Sequence, residues 1–254
     1  KKPAKKVFLP LNSLNLKFIM NKLKQVKNII ITKPQKLDCG KEISNFPISY
    51  ETYGTLNEKK DNAILVFHAL TGDQFASEKN PITNKDGWWS YALGSGKAID
   101  TEKFFVICAN VLGGCMGSYG PSSIDEETGK PIGTNFPVIT INDMVNAQYN
   151  LLEHFKIDKL FAVIGGSMGG MQVLQFVSNF PDKAHIAIPI ACTSSHSAQN
   201  IAFNELGRQA ILADTNWKNG LYEQNKTSPD KGLAVARMAA HITCLLYTSD
   251  AADD

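Results

Sequence analysis

The chain has 254 residues, of which 43% are hydrophobic and 20% charged, which is the composition of an ordinary globular protein with one large domain or a core plus an insertion. The formal net charge is only +2 and no basic stripe with interleaved aromatics is present, which argues against a nucleic-acid partner. No apolar run approaches the length of a membrane span, so no membrane partner is expected. The five cysteines are odd in number and form no C-x-x-C pair, so the sequence predicts neither a disulfide framework nor a zinc site, and it favours a reducing cytoplasm.

The first 27 residues are expected to be a disordered extension. They begin with KKPAKK and carry further lysines, which is typical of a solvated tail. Their apolar part is interrupted by Asn12, Asn15 and Lys17 and has no small-residue cleavage site, so it does not fit a signal peptide. Met20 is a candidate for the true start of the protein.

From residue 28 to residue 192 the sequence alternates between strand-like and helix-like segments. The runs IIITKPQKLDCG and ISYETYG come first, followed by four apolar runs typical of strands covered on both faces: AILVFHAL, KFFVICANVLGG, LFAVIGG and HIAIPIAC. Helical spacing marks TINDMVNAQYNLLEHFKI before the third of these runs and GMQVLQFVSNFPD after it. Strands that alternate with helices predict an α/β fold with a mostly parallel sheet.

Residues 193–243 differ from this core because they contain two helical segments with no strand between them. They are expected to form a helical cap, although they could also be the far edge of the core. Asn200, Asn204 and Arg208 recur every four residues and therefore lie on one helix face. Such a stripe suits a cap that faces a polar pocket, and it equally suits a solvated face.

The stretch GGSMGG satisfies the pattern G-x-S-x-G through Gly165, Ser167 and Gly169, between a predicted strand and a predicted helix. In this setting the pattern predicts a nucleophile elbow, a tight turn that exposes the serine hydroxyl. The helix that follows directs its positive end at the serine and at any oxyanion formed there. The alternative is a plain tight turn with an inert serine.

A serine that transfers acyl groups also needs two backbone N–H donors for the oxyanion. Met168 follows the nucleophile and is the first candidate, and Leu70, in the loop HALTGD after an earlier strand, is the second. His68 in that loop precedes the serine, whereas the triad order in this fold is serine, acid, histidine. We therefore interpret His68 as a structural residue of the oxyanion loop.

Five blocks together resemble the homoserine O-acetyltransferase family of α/β-hydrolase-fold acyltransferases. They are FHALTGD, GWWSYALGSGKAIDTEKFFVICANVLGGCMGSYGPSS, TGKPIGTNFPVITINDMVNAQ, IGGSMGGMQVLQF and SSHSAQNIAFNELGRQAI. The resemblance implies an α/β-hydrolase fold and a ping-pong reaction in methionine biosynthesis, in which an acetyl group passes from acetyl-CoA to the serine and then to L-homoserine. It also implies acetyl-CoA as co-substrate without a permanently bound cofactor, and a homodimer.

Carried onto this sequence, the resemblance gives roles to four residues. Ser167 matches the nucleophile, Leu70 and Met168 match the oxyanion donors, and Arg208 matches the arginine that holds the carboxylate of the amino-acid substrate. A guanidinium can hold a carboxylate through two parallel bonds, which a lysine cannot do. The glycine-rich residues 110–123 match a loop beside the pocket.

The residues leave several rival functions open. The acyl donor could be succinyl-CoA and the acceptor could be serine, because a few pocket side chains decide both. A serine esterase or thioesterase needs only water as acceptor, although the Arg208 segment argues against it. A binding protein that keeps the fold without the triad belongs to a different class, and the intact elbow argues against it.

The general base is not found in this sequence. The family places its triad Asp and His after the cap. The histidines that follow Ser167 here do not match the catalytic one; they are His185, His196 and His241. The resemblance stops near residue 243, and the final CLLYTSDAADD back-translates to a sequence that looks like a transposon-end sequencing adaptor. Residues 244–254 are therefore expected to be a non-native tail, the last strands and helices of the fold to be missing, and the chain by itself to be inactive.

Overall fold

A computed structural model describes residues 26–222 and 224–245. The expected extension, residues 1–27, and the expected non-native tail, residues 244–254, lie outside the described residues except at their inner ends. The described chain falls into two compact units, with the division between Ser194 and Ser195.

The first unit is built on a six-stranded sheet. Its strands are β1 (Asn28–Ile31), β4 (Phe46–Tyr53), β5 (Ala63–Phe67), β8 (Phe105–Ala109), β9 (Leu160–Gly166) and β10 (Ala184–Ile190). The spatial order is β1-β4-β8-β5-β9-β10. Strand β5 pairs in parallel with both β8 and β9, and β9 pairs in parallel with β10. At the other side of the sheet, β4 pairs antiparallel with both β1 and β8.

Two small ribbons accompany this sheet. They are the antiparallel pair β2 (Gln35–Lys36) and β3 (Glu42–Ile43), and the parallel pair β6 (Leu93–Gly94) and β7 (Ile99–Asp100). The prediction of an α/β fold with a mostly parallel sheet is confirmed. The runs AILVFHAL and KFFVICANVLGG end as strands at Phe67 and Ala109, earlier than their apolar character suggests, because the residues that follow form loops.

The sheet has a hydrophobic core on each face. All five residues of β5 and all five of β8 are buried. Leu65 and Phe67 belong to one cluster and Ile64 and Val66 to the other, as the alternation of side chains along a strand requires. Burial on both faces explains why these strands read as continuous apolar runs.

Two helices, α1 (Ile141–Phe155) and α2 (Met168–Asn179), belong to the first unit. The N-terminus of α1 is closed by a capping box, in which the side chains of Thr140 and Asp143 each bond the other's backbone N–H. Asp143 is fully buried and also accepts the Asp38 N–H at 3.0 Å, so it fastens the β2–β3 hairpin to this helix. Helix α2 ends just before Pro181, as predicted.

The second unit contains α3 (Ala198–Leu212) and α4 (Asp230–Leu245), which pack against each other. A Cβ on Gly232 would lie 2.4 Å from the Ala210 carbonyl oxygen, so the close contact of these helices requires a glycine there. Both helices were predicted, and Asn200, Asn204 and Arg208 are exposed. No helix among the described residues is long and apolar enough to cross a membrane.

Candidate active site

The site is built where three parallel strands end at the same edge of the sheet. Strands β5, β8 and β9 are neighbours and run in the same direction, so the segments after their carboxyl ends meet. These segments are the loop from His68 to Gly72, the glycine-rich loop from Asn110, and the turn at Ser167.

Ser167 has the backbone conformation of a nucleophile elbow. Its φ is 56° and its ψ is −121°, a region that residues with a side chain rarely adopt, and its backbone N–H donates to the Ile190 carbonyl at 3.0 Å. Ser167 occupies the N-cap position of α2, yet its side chain does not cap the helix. The hydroxyl is therefore left exposed at the positive end of the helix.

The two flanking glycines are needed because backbones meet at this turn. A Cβ on Gly169 would lie 2.1 Å from the carbonyl oxygen of Phe67, and one on Gly165 would lie 2.5 Å from the backbone of Gly169. Any side chain at either position would force α2 away from the end of β5. The glycines of G-x-S-x-G thus hold the serine turn against the neighbouring strand.

Leu70 and Met168 lie at one pocket, as their expected role requires. Both residues line a cavity of about 300 Å³. Within the described part of the chain, neither of their backbone N–H groups donates a hydrogen bond to another group. Two free N–H donors beside an exposed serine can stabilise an oxyanion, and their assignment as the oxyanion hole stays a prediction.

His68 is buried and both of its ring nitrogens are bonded. Nε2 must accept, because its partner at 3.1 Å is the N–H of Val111, so Nδ1 carries the proton and donates to the Ala69 carbonyl at 2.7 Å. Burial lowers the pKa of His68 and keeps the ring neutral. A histidine bonded in this way cannot take the Ser167 proton, which agrees with the structural role expected for it.

The glycine-rich loop folds over Asn110, a residue that the sequence analysis did not single out. Asn110 is buried, its Oδ1 accepts the Met116 N–H at 3.0 Å, and its own carbonyl accepts the Ser118 hydroxyl at 2.6 Å. A Cβ on Gly114 would lie 2.5 Å from that Oδ1, which explains a glycine here. This loop forms one wall of the pocket.

The pocket walls that this unit supplies are largely apolar and carry no Asp, Glu, Lys or Arg. They come from the loop after β5, from residues 110–115, from apolar residues between 136 and 144, and from Met168. Phe136, Ile139 and Met144 are among the apolar ones. A small uncharged group fits such walls, whereas a carboxylate would find no cationic side chain among the described lining residues.

Within the first unit, the described residues give the Ser167 hydroxyl no side-chain partner, and the absence of the triad Asp and His from this chain stays a prediction. His185 lies at the far end of the sheet, because β10 pairs Ala184 with Leu160 and Ile190 with Gly166. The rise along a strand puts it roughly 20 Å from the elbow. In the same described residues, no cluster of His, Cys, Asp or Glu could hold a metal ion.

Arg208 lies in the second unit, on the exposed face of α3. Its Nε donates to Oε2 of Glu205 at 2.8 Å and its Nη2 lies 2.5 Å from the same oxygen. The guanidinium therefore already holds a carboxylate, although this one belongs to the protein. Its role in binding substrate stays a prediction.

Comparison with known proteins agrees with this geometry. The sequence model of the family described as "alpha/beta hydrolase fold" matches residues 62–243. The chain is 74% identical over 226 residues to the homoserine O-acetyltransferase of Pelagibacter ubique, covering 89% of this chain and 61% of that protein. Among solved structures it is similar to esterase E22 (36% identity, TM-score 0.76, 86% of this chain and 61% of that one) and to a homoserine O-acetyltransferase from Bacillus anthracis (30% identity, TM-score 0.78, 86% and 60%).

The chain therefore belongs to the α/β-hydrolase fold family. It spans about three fifths of the length of these relatives.

The buried, neutral state of His68 predicts a pH-dependent stability. The unfolded chain binds a proton at this histidine near pH 6.5, whereas burial lowers the pKa of His68 in the folded protein, which therefore binds this proton only at a lower pH. The free energy of unfolding of the full-length protein should therefore fall as the pH drops below about 6.5, by up to about 1.4 kcal/mol per pH unit from this residue. Urea unfolding of wild type and His68→Gln at pH 7, 6 and 5 measures this, and the variant should show the shallower dependence. Equal pH dependence in both proteins would contradict a neutral His68.

Proposed function

We propose that the whole protein is a homoserine O-acetyltransferase that works through an acetyl-Ser167 intermediate. The observation that carries the proposal is the 74% identity over 226 residues to a protein of that name. The strained, exposed Ser167 with two free N–H groups beside it supports the same chemistry. The proposed partners are acetyl-CoA and L-homoserine, with no permanently bound cofactor.

In the first half-reaction the Ser167 hydroxyl oxygen attacks the thioester carbon of acetyl-CoA. The N–H groups of Leu70 and Met168 stabilise the negative oxygen of the tetrahedral intermediate, and the CoA thiol leaves with the proton taken from the serine. The resemblance implies a histidine C-terminal to residue 243 as the base that moves this proton. In the second half-reaction the homoserine hydroxyl attacks the acetyl-serine, which releases O-acetylhomoserine and restores Ser167.

The pocket favours an acetyl over a succinyl donor. Succinyl carries a carboxylate, and the walls that the first unit supplies offer it no cation. Burying an unpaired carboxylate costs several kcal/mol, whereas an acetyl methyl group fits apolar walls. We therefore propose acetyl-CoA as the donor.

An esterase is the second candidate, because esterase E22 shares the fold at 36% identity. An esterase passes the acyl group to water, and a transferase passes it to an amino acid. The resemblance assigns Arg208 to the carboxylate of that amino acid, which favours transfer. A cytoplasmic location, which rests on the unpaired cysteines, and a homodimer, which rests on the resemblance, are proposed with the function.

The nucleophile is tested in the full-length protein with acetyl-CoA alone. Wild type should accumulate acetyl-Ser167, visible by peptide mass spectrometry, and should form O-acetylhomoserine once homoserine is added. Ser167→Ala should lower the transfer rate by at least about 10⁴-fold, because the acyl acceptor is gone. Ser178→Ala, on an exposed serine of the same helix, is the matched control and should transfer normally.

Three outcomes would contradict parts of this proposal. Acetylation of a residue other than Ser167 would contradict the assignment of Ser167 as the nucleophile. Release of acetate in place of O-acetylhomoserine would favour the esterase. Faster acylation by succinyl-CoA than by acetyl-CoA would overturn the choice of donor.

Arg208 is tested by separating the two half-reactions. Arg208→Lys keeps the charge but cannot form two parallel bonds to a carboxylate, so productive homoserine binding should weaken by about 2 to 3 kcal/mol, or roughly 30- to 150-fold. Acylation by acetyl-CoA precedes homoserine binding and should be unchanged. Arg237→Lys, at the other arginine of the sequence, is the control. If Arg208→Lys slows acylation as much as it slows transfer, Arg208 does not serve the amino-acid site.

A further inference from the structure

Behind the elbow lies a pair of amide side chains in an otherwise apolar core. Gln148 of α1 and Gln172 of α2 are both fully buried, and Gln148 Nε2 donates to Gln172 Oε1 at 2.7 Å. Their neighbours along the helices, Val145, Leu151 and Val173, belong to the main hydrophobic cluster. Polar groups in such surroundings are costly to bury, so the pair needs a physical reason.

The contacts of Gln172 fix the orientation of both amides. Its Nε2 lies 3.4 Å from the carbonyl oxygen of His68 and 3.4 Å from that of Met168. Carbonyl oxygens only accept hydrogen bonds, so the NH₂ group of Gln172 must face them and its oxygen must face Gln148. Gln148 then turns its own Oε1 to a place where the described residues offer no donor.

Within the described residues that oxygen has no donor, and a pair of amides is a costly way to fill an apolar core. A buried acceptor without a donor costs about 1–3 kcal/mol. A leucine or methionine pair of similar volume would avoid this cost. The arrangement keeps a donor aimed at two backbone carbonyls at the expense of one unpaired oxygen.

The two carbonyls belong to the two segments that carry the expected oxyanion donors. His68 lies two residues before Leu70, and the Met168 carbonyl belongs to the same residue as the second donor. One NH₂ group with two hydrogens therefore bridges both segments. The His68 ring is already held by Ala69 and Val111, so the loop is fixed from two sides.

We propose that Gln172 is a positioning residue that sets the separation of the Leu70 and Met168 N–H groups, and that Gln148 holds the Gln172 amide in the required orientation. The proposal rests on the oxyanion role given to those two N–H groups above. Oxyanion donors act only within about 2.7–3.1 Å of the developing charge, so a small shift of one segment weakens them. Removing one oxyanion donor outright lowers the rate of catalysis by about 10²–10³-fold. Loss of the hydrogen bonds from Gln172 to the two carbonyls should lower it by less.

The test measures acylation of Ser167 in the full-length protein with p-nitrophenyl acetate, a substrate that needs the serine and the oxyanion hole but no homoserine. Gln172→Leu should lower the single-turnover acylation rate by about 10- to 100-fold with little change in the concentration for half-saturation. Affinity for a short alkyl trifluoromethyl ketone, whose serine adduct carries an oxyanion, should fall by a similar factor. A purely structural role would not link these two losses.

Two further variants and one control complete the experiment. Gln148→Leu keeps the Gln172 donor but frees its orientation, so a smaller loss in both measurements is expected. Gln172→Met keeps the length of the side chain and has no hydrogen-bond donor, so it should resemble Gln172→Leu. Gln175→Leu on the same helix is the control and should leave both measurements unchanged, because among the described residues the Gln175 side chain bonds only the Asn179 side chain, at 2.8 Å.

The proposal is overturned if Gln172→Leu acylates at the wild-type rate, or if acylation falls while affinity for the ketone does not. Failure of Gln172→Leu, Gln172→Met and Gln148→Leu to fold would also overturn it, because the pair would then serve the fold. Failure of the wild type to transfer acetyl to homoserine contradicts the proposed function instead, since acylation by p-nitrophenyl acetate would still report on Gln172.

Discussion

The near contact between the backbone of α2 and the end of β5 is the constraint on which this site depends. Gly169 lies so close to the Phe67 carbonyl that only a hydrogen fits between them. This contact brings the turn at Ser167 beside the loop that begins at His68. The strain in the Ser167 backbone is held by packing on both sides of the turn, as strain at functional sites usually is.

The electrostatics of the site follow from the same arrangement. The helix directs its positive end at an exposed serine, and two N–H groups nearby are free to bond a ligand. His68 is kept neutral by burial, and the pocket walls of this unit carry no charged side chain. We therefore expect the site to stabilise negative charge that develops on a bound acyl group, while the described walls of this unit offer no cationic side chain to a charged acyl group.

Local sequence patterns were sufficient to predict the parallel sheet and the tight turn at Ser167. Both signals, a short apolar run and the motif G-x-S-x-G, lie within a few consecutive residues. They could not show that the strand in AILVFHAL ends at Phe67. His68 follows within the same apolar run, but its ring bonds Val111, which is 43 positions away in the sequence. They also missed Gln148 and Gln172, whose contact spans 24 positions. The available signal was a glutamine on the buried face of each amphipathic helix.

A crystal structure of the full-length protein after reaction with an alkyl phosphonate tests the central claim most directly, because the adduct copies the charge and shape of the tetrahedral intermediate. The account predicts a bond from phosphorus to the Ser167 hydroxyl oxygen. It also predicts a negatively charged phosphonyl oxygen within about 2.7–3.1 Å of both the Leu70 and Met168 nitrogens. An adduct on another residue, or a phosphonyl oxygen that faces away from these two N–H groups, would contradict it.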